Sequence, residues 1–263
     1  GNAFIDPAGN NRAEVEHVLH QAVTLLLEEM TQADQRSPLP DSISIEQLMQ
    51  RTGIPEQSVN VNVLMDEVRS QLLHSMNAAH PGYIGHMDSI PTTMSVIGDL
   101  LVAALNNNML SVEMSPLFSR LETTVLQQIT QLFGLGPQAN GVLVSGGSLA
   151  NLQALLVARN IAFNALDHGI PQGQQPVFFV SEVAHTSFKK AAMVMGLGTK
   201  AAMPVATNHN SQINLDDLKT QLTTAKNQGQ TPFAIVATAG TTVTGSIDPI
   251  AEDRKSTRLN SSH

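Results

Sequence analysis

A short segment with two glycines, Val-Ser-Gly-Gly-Ser-Leu-Ala-Asn at residues 144–151, has the composition of an anion-binding turn. Gly146 and Gly147 would let backbone N–H groups approach an anion, and Ser148 would add a hydroxyl. A helix starting at Ser148 would direct the positive end of its dipole to the same place. The segment predicts a phosphate-binding site. A plain strand-to-helix turn with Ser148 as the N-cap explains the same residues, so both interpretations stay open.

This segment also comes close to the nucleotide-binding pattern G-x-x-x-x-G-K-[ST], with Gly141, Gly146 and Ser148 at matching positions. Gly147 stands where that pattern needs a lysine to reach the phosphates. The apolar residues 142–144 belong to a predicted strand, so the glycines would not form one loop. We therefore reject the nucleotide-binding interpretation.

A second candidate is His185, which follows the apolar run at residues 176–180. At the end of a strand, the face of an imidazole can lie on a flat ligand ring. A lone histidine in such a position is more often a helix cap or a satisfied surface group, and the residues alone do not decide.

The third candidate segment is residues 238–249, where an apolar strand runs into glycines and hydroxyl side chains. Small residues at the end of a strand allow a ligand to approach closely. Asp248, before Pro249, is equally explained as a helix cap.

All three segments follow predicted strands of an alternating strand–helix pattern. We predict strands at 141–145, 176–180, 201–205 and 232–237, and helices at 148–163, 185–195 and 215–227. Because the strands are continuous apolar runs, the pattern predicts an α/β fold with a mostly parallel sheet and helices on both faces. Ligands of such sheets bind beyond the carboxyl ends of the strands, where the three candidates lie.

The preceding sequence has helical periodicity. We predict helices at 11–33, 44–53, 59–79, 91–109 and 116–133. Ser44 and Gln47 have the spacing of a capping box. We expect a helical N-terminal segment at residues 1–85 and a ligand-binding large domain, incomplete, at residues 86–252.

Composition excludes several classes of protein. The chain has 263 residues, of which 42% are hydrophobic and 14% charged, which is typical of a folded chain. No apolar run approaches the ~20 residues of a membrane helix, and the absence of cysteine excludes disulfides and Cys-based zinc sites. A net charge of −8 without basic clusters argues against a nucleic-acid partner. We expect a cytoplasmic protein without a metal site.

Residues 253–263, Asp-Arg-Lys-Ser-Thr-Arg-Leu-Asn-Ser-Ser-His, break this pattern. A codon series that encodes them spells a common sequencing-adapter oligonucleotide. We interpret them as a non-native tail and expect the natural sequence to diverge after residue 252.

Four segments together resemble the group II pyridoxal-phosphate-dependent amino-acid decarboxylases, which include the glutamate, aromatic-amino-acid, histidine and 2,4-diaminobutyrate enzymes. The segments are His-Pro-Gly-Tyr-Ile-Gly-His at 80–86, Ser-Gly-Gly-Ser-Leu-Ala-Asn at 145–151, Ala-His-Thr-Ser at 184–187, and Ala-Gly-Thr-Thr at 239–242 with Asp-Pro-Ile at 248–250. Their order and spacing agree over residues 75–252. Residues 83–86 are more similar to the diaminobutyrate and acidic-substrate branches than to the aromatic branch.

The resemblance implies a fold-type I large domain, pyridoxal 5′-phosphate as the cofactor, and an L-amino acid substrate that a homodimeric parent enzyme converts to its amine and CO₂. It also implies roles for individual residues. Gly147 and Ser148 would hold the cofactor phosphate, Thr242 would contact the cofactor, and Ser89 would line the substrate pocket. His185 would stack on the pyridine ring and help position or protonate the substrate-derived carbanion.

Two groups that the family needs are missing. Its Schiff-base lysine and the acid on the pyridine nitrogen follow the Asp-Pro-Ile segment, and neither motif occurs here. No lysine before the tail follows a histidine: Lys189, Lys190, Lys200, Lys219 and Lys226. We expect the 263-residue chain to be an inactive N-terminal fragment. Three alternatives stay open: another fold-type I enzyme such as an aminotransferase or a lyase, a non-catalytic homologue, and a phosphate-binding module without pyridoxal phosphate.

Overall fold

The computed structural model describes residues 4–51 and 53–251, so the predicted tail lies outside the described residues. The chain divides into two compact units, one up to Pro116 and one from Leu117. The sequence predicted a boundary after residue 85, between a helical segment and a ligand-binding domain. That boundary stays a prediction. None of the helices in the described ranges combines the length and the apolar composition that crossing a bilayer requires.

The first unit is helical, as predicted. Its helices are α1 (Arg12–Thr31), α2 (Ile45–Arg51), α3 (Val61–Leu73) and α4 (Thr93–Leu105), with a short 3₁₀ helix at Ala33–Gln35. Each helix begins and ends a few residues inside the predicted range.

Helix α2 begins with the predicted capping box. The Ser44 N–H donates to Gln47 Oε1 at 3.0 Å, and the Gln47 N–H donates to Ser44 Oγ at 3.1 Å. The two side chains therefore satisfy two backbone donors that the helix itself leaves without a partner.

The second unit is an α/β structure. Its elements are α5 (Pro116–Leu132), α6 (Gly147–Phe163), β1 (Pro176–Ser181), α7 (Ser187–Val194), β2 (Ala202–Val205), α8 (Leu215–Asn227) and β3 (Thr231–Val236). The strand order is β2-β1-β3, and both pairings are parallel. The predicted parallel sheet is therefore confirmed.

The central strand β1 is buried on both faces. Phe178 packs with Leu155 of α6 and Ala192 of α7, whereas Phe179 packs with Leu218 of α8. Both phenylalanines are 0% exposed. Because successive side chains of a strand point to opposite faces, helices must cover both sides, as the continuous apolar runs predicted.

The predicted strand at residues 141–145 is wrong. Residues 141–144 have no regular secondary structure, and Val142 and Leu143 are 60% and 65% exposed. A strand needs a neighbour to supply its ladder of hydrogen bonds, and no strand of the described part of the chain pairs with this run. Apolar composition alone therefore did not produce a strand.

Candidate functional site

The turn before α6 leaves two backbone donors free. Gly146, at φ +88°, accepts from the N–H groups of Leu149 and Ala150. This φ lies in the region that glycine adopts readily. The N–H groups of Gly147 and Ser148 donate to no protein acceptor in the described ranges, as is usual for the first helical turn. A Cβ at Gly147 would meet no atom within 4 Å, so the backbone there is open to a ligand.

His185 lies between β1 and α7. Its Nδ1 accepts from the Ser187 N–H at 3.2 Å. In a neutral ring this bond assigns the proton to Nε2. The side chain is exposed, so Nε2 and the ring faces stay available. His185 thus lies one residue before the N-cap residue of α7, Thr186, and its ring accepts from the first residue of the helix. Its predicted stacking on a cofactor stays a prediction.

One hydrogen bond joins the start of α6 to the start of α7. Asn151 Nδ2 donates to Ser187 Oγ at 2.9 Å, and Ser187 is 2% exposed. The bond brings the turn at residues 146–148 and the turn at His185 to the same end of a helix pair. The sequence motifs contain both residues but gave no sign of this contact.

Thr242 lies at the tip of a loop that follows β3. An antiparallel bridge between Ala239 and Ile247 closes the loop, and the Gly240 and Thr241 N–H groups both donate to the Ser246 carbonyl oxygen at 3.0 Å. The Thr242 side chain is exposed. Since β3 is parallel to β1, the loop and His185 lie beyond the same edge of the sheet. The predicted contact of Thr242 with the cofactor stays a prediction.

Hydrogen bonds among hydroxyl groups, centred on the buried Thr241, stabilise this loop. Thr241 Oγ1 lies 2.6 Å from Thr244 Oγ1 and 3.0 Å from Ser246 Oγ, and Thr241 is 3% exposed. Ser246 Oγ also donates to the Ser211 carbonyl oxygen at 2.7 Å. The loop after β3 is thus held both internally and against the loop after β2.

Asp248 ties the same two loops together. Its Oδ1 accepts from the Ile213 N–H and its Oδ2 from the Thr238 N–H, each at 2.8 Å. The residue is 2% exposed, and the two backbone amides compensate for the burial of its carboxyl group. The sequence offered only a helix-capping interpretation for this aspartate and did not indicate the loop contact.

Glu182, directly after β1, fixes the start of the loop after β2. The Thr207 Oγ1–H and N–H both donate to its Oε1 at 2.8 Å, and these bonds lower the pKa of the Glu182 carboxyl below its ordinary value. A lowered pKa in the folded state means that the contact stabilises the fold above the unfolded pKa and is lost as the pH falls through the folded one.

Ser89 belongs to the first unit. It lines a cleft of about 200 Å³, whose lining includes Arg36 and Glu29. Shortly before it, His86 and Met87 have φ values of 55° and 60°. Such left-handed conformations cost about 1–3 kcal/mol for residues other than glycine and are concentrated at functional sites. The predicted role of Ser89 in substrate binding stays a prediction.

Metal ligation has no support among the described residues, which contain no group of three His, Cys, Asp or Glu side chains that could hold an ion.

Comparison with known proteins shows the family. Residues 45–255 match the family described as the pyridoxal-dependent decarboxylase conserved domain. An aspartate 1-decarboxylase of Aliivibrio fischeri is 35% identical over 90% of this chain and 48% of that protein. A glutamate decarboxylase of Drosophila melanogaster is 31% identical over 75% of this chain and 39% of that protein.

Among solved structures, the glutamate decarboxylase domain of a diaminobutyrate-pyruvate transaminase and L-2,4-diaminobutyrate decarboxylase from Vibrio parahaemolyticus matches with a TM-score of 0.88 and 25% identity. The match covers 97% of this chain and 57% of that one. The chain therefore spans about half the length of the relatives it matches.

The chain belongs to the pyridoxal-dependent decarboxylase family, as the four sequence segments predicted. The predicted fold class, the large domain of a type I pyridoxal-phosphate enzyme preceded by a helical segment, is also confirmed.

The position of Asp248 generates a testable prediction. Asp248→Ala leaves two backbone N–H groups without their acceptor, and each such buried donor costs about 1–3 kcal/mol. We expect a lower free energy of unfolding in urea and faster hydrogen exchange at the amides of Ile213 and Thr238. Asp167→Ala removes an exposed aspartate of the same unit and serves as the control. Equal stability of the two variants would contradict the assigned role.

Proposed function

We propose that the protein of which this chain is a part decarboxylates an L-amino acid with pyridoxal 5′-phosphate, and that it releases the amine and CO₂. The observation that carries the proposal is the turn at Gly147 and Ser148, which offers free backbone donors in a chain of the pyridoxal-dependent decarboxylase family. Because the chain spans about half the length of its relatives, the activity is a proposal about the whole protein.

The residues of the turn fit the cofactor phosphate. The N–H groups of Gly147 and Ser148 point out of the helix start, where an anion is favoured, and Ser148 adds a hydroxyl. The donor set is therefore suited to a phosphorylated ligand.

Pyridoxal phosphate, when bound, supplies an electron sink for the electron pair that a departing carboxylate leaves behind. The chain's own residues would bind and orient. The turn before α6 would hold the phosphate, and His185 would lie against the ring with its Nε2 proton free, because Nδ1 is engaged by Ser187. Thr242 would contact the cofactor from the loop after β3.

For the substrate we propose an acidic amino acid. Two relatives that this chain matches are an aspartate 1-decarboxylase and a glutamate decarboxylase, and residues 83–86 are similar to the acidic-substrate and diaminobutyrate branches. Ser89, in its cleft beside Arg36, would contribute to the substrate pocket.

We also propose a homodimer in the cytoplasm. Helix α4 has no buried residue, and several of its large apolar side chains are between 40% and 70% exposed. An apolar surface of this kind is typical of a protein interface. A second subunit would cover it.

Gly147→Val tests the phosphate site. The protein around Gly147 leaves room for a side chain, so the fold should tolerate valine while the backbone is blocked for an anion. A lost hydrogen bond to a charged group is worth about 1.5–3 kcal/mol, so the cofactor Kd of the full-length protein should rise about 10- to 100-fold. Absorbance titration measures this. Gly53→Val, at another glycine with open space, is the control, and an unchanged Kd at Gly147→Val would refute the assignment.

His185→Asn distinguishes the role of the imidazole ring in catalysis from its hydrogen bond with the Ser187 N–H. An asparagine oxygen can accept the Ser187 N–H in place of Nδ1, so this variant should keep the melting temperature of the protein. It lacks the imidazole, so kcat should fall about 100-fold or more. His185→Ala should lose the same activity and also about 1 kcal/mol of stability. A fully active asparagine variant would leave His185 with the capping role alone.

The Schiff-base lysine, which the family resemblance places after the Asp-Pro-Ile segment, gives the last test of the function. After treatment with pyridoxal phosphate and borohydride, mass spectrometry should find no specific lysine adduct in the 263-residue chain. The protein that continues naturally beyond residue 252 should carry one adduct at a single lysine and sediment as a dimer. A specific adduct at a lysine of the 263-residue chain would show that the account of the site is wrong.

A further inference from the structure

We propose that Asn151 and Ser187 are positioning residues that fix the phosphate-binding turn relative to the imidazole of His185. The inference rests on the proposed function and assigns to it two side chains for which the family resemblance gave no role.

The contact is a relay of two hydrogen bonds. Asn151 Nδ2 of α6 donates to Ser187 Oγ at 2.9 Å, and the Ser187 backbone N–H donates to His185 Nδ1 at 3.2 Å. Ser187 therefore receives a bond from α6 through its side chain and passes one to the imidazole through its backbone. The two bonds therefore join α6, whose first turn is the proposed phosphate site, to His185, the residue proposed to stack on the ring.

The position of Asn151 links the hydrogen-bonded pair directly to the turn at residues 146–148. It lies four residues after Gly147, and residues at this spacing share one face of a helix. One further helical turn along, the buried Leu155 packs in the same cluster as Phe188 and Ala191 of α7. The polar contact therefore sets the register of two helices that apolar packing already holds together.

Burial makes the contact stiff. Ser187 is 2% exposed, so water does not compete for its hydroxyl. The alternative to the bond is a buried polar group without its partner, which is unfavourable. Apolar packing tolerates small sliding of one helix along another, whereas this hydrogen bond has one preferred geometry.

A ligand that is bound at two places makes such a constraint useful. A cofactor held by its phosphate at Gly147 and Ser148 would bring its ring only to places within reach of that turn, so the imidazole must stand at one of them. A misplacement of about 1 Å between reacting groups can reduce a rate about 100-fold. Asn151 and Ser187 would prevent that misplacement by fixing the two helix starts relative to each other.

The same helix pair provides a matched control. Arg159, near the other end of α6, donates from Nη1 to the Met195 carbonyl oxygen at 3.4 Å, directly after α7. This bond also joins α6 to the α7 region, but Arg159 lies twelve residues after Gly147, about three helical turns from the turn at residues 146–148. Its loss should affect stability without affecting the site.

The experiment compares Asn151→Ala, Ser187→Ala, the double variant, Ser187→Thr and Arg159→Ala in the full-length protein. Three quantities are measured for each variant: the melting temperature of the cofactor-free protein, the visible circular dichroism of the bound cofactor, and kcat with KM. Circular dichroism reports how the ring is held, and the melting temperature reports only the fold.

We expect all the alanine variants to melt a few degrees lower. Only Asn151→Ala and Ser187→Ala should change the circular dichroism and lower kcat and kcat/KM together, by about 10- to 100-fold. The double variant should be no worse than either single one, because both remove the same bond. Ser187→Thr, which keeps the hydroxyl, should recover the signal.

An equal loss of signal and kcat in Arg159→Ala, or unchanged values in Asn151→Ala and Ser187→Ala, would overturn the positioning role and leave the proposed function intact. A wild-type protein without any cofactor-dependent signal would overturn the proposed function and this inference with it.

Discussion

The burial of β1 on both faces is the constraint on which the second unit depends. Phe178 and Phe179 are adjacent and fully buried, so one holds α6 and α7 to the sheet and the other holds α8. With both faces of β1 covered by helices and both of its sides paired with β2 and β3, the ends of this strand are the parts that stay accessible. In a parallel sheet the carboxyl ends share one edge, which is why His185 and the loop after β3 lie beyond the same side.

Polar contacts shape that edge, together with the apolar packing of Ile213 in the core. Asp248 accepts amides from two loops, Glu182 accepts from Thr207, and Thr241 lies among other hydroxyls in the loop after β3. Loops have few apolar side chains to bury, and their backbone donors need acceptors. These hydrogen bonds therefore hold the loops in defined positions. A binding site requires such fixed positions.

The sequence predicted features that depend on residues close together along the chain. Helical periodicity, the capping box at Ser44 and the double burial of the strands all follow from local spacing. The contacts that organise the site join residues far apart in sequence. Asn151 and Ser187 are 36 positions apart, and Asp248 and Ile213 are 35 apart. No local pattern encodes such a pair. The roles predicted for the site residues came from resemblance to a family, not from their spacing.

The run at residues 141–144 also shows that a local pattern does not predict a contact with a distant segment. Its composition is that of a strand, yet a strand is a relation between two segments, and no described strand pairs with it. The turn at residues 146–148 follows this run directly, so a paired strand cannot be what holds the turn here. The helix side holds it instead: Gly146 caps α6, and Asn151 links α6 to Ser187. The geometry of the turn therefore derives from the part of the fold that β1 organises, and it does not require residues 141–144 to be paired.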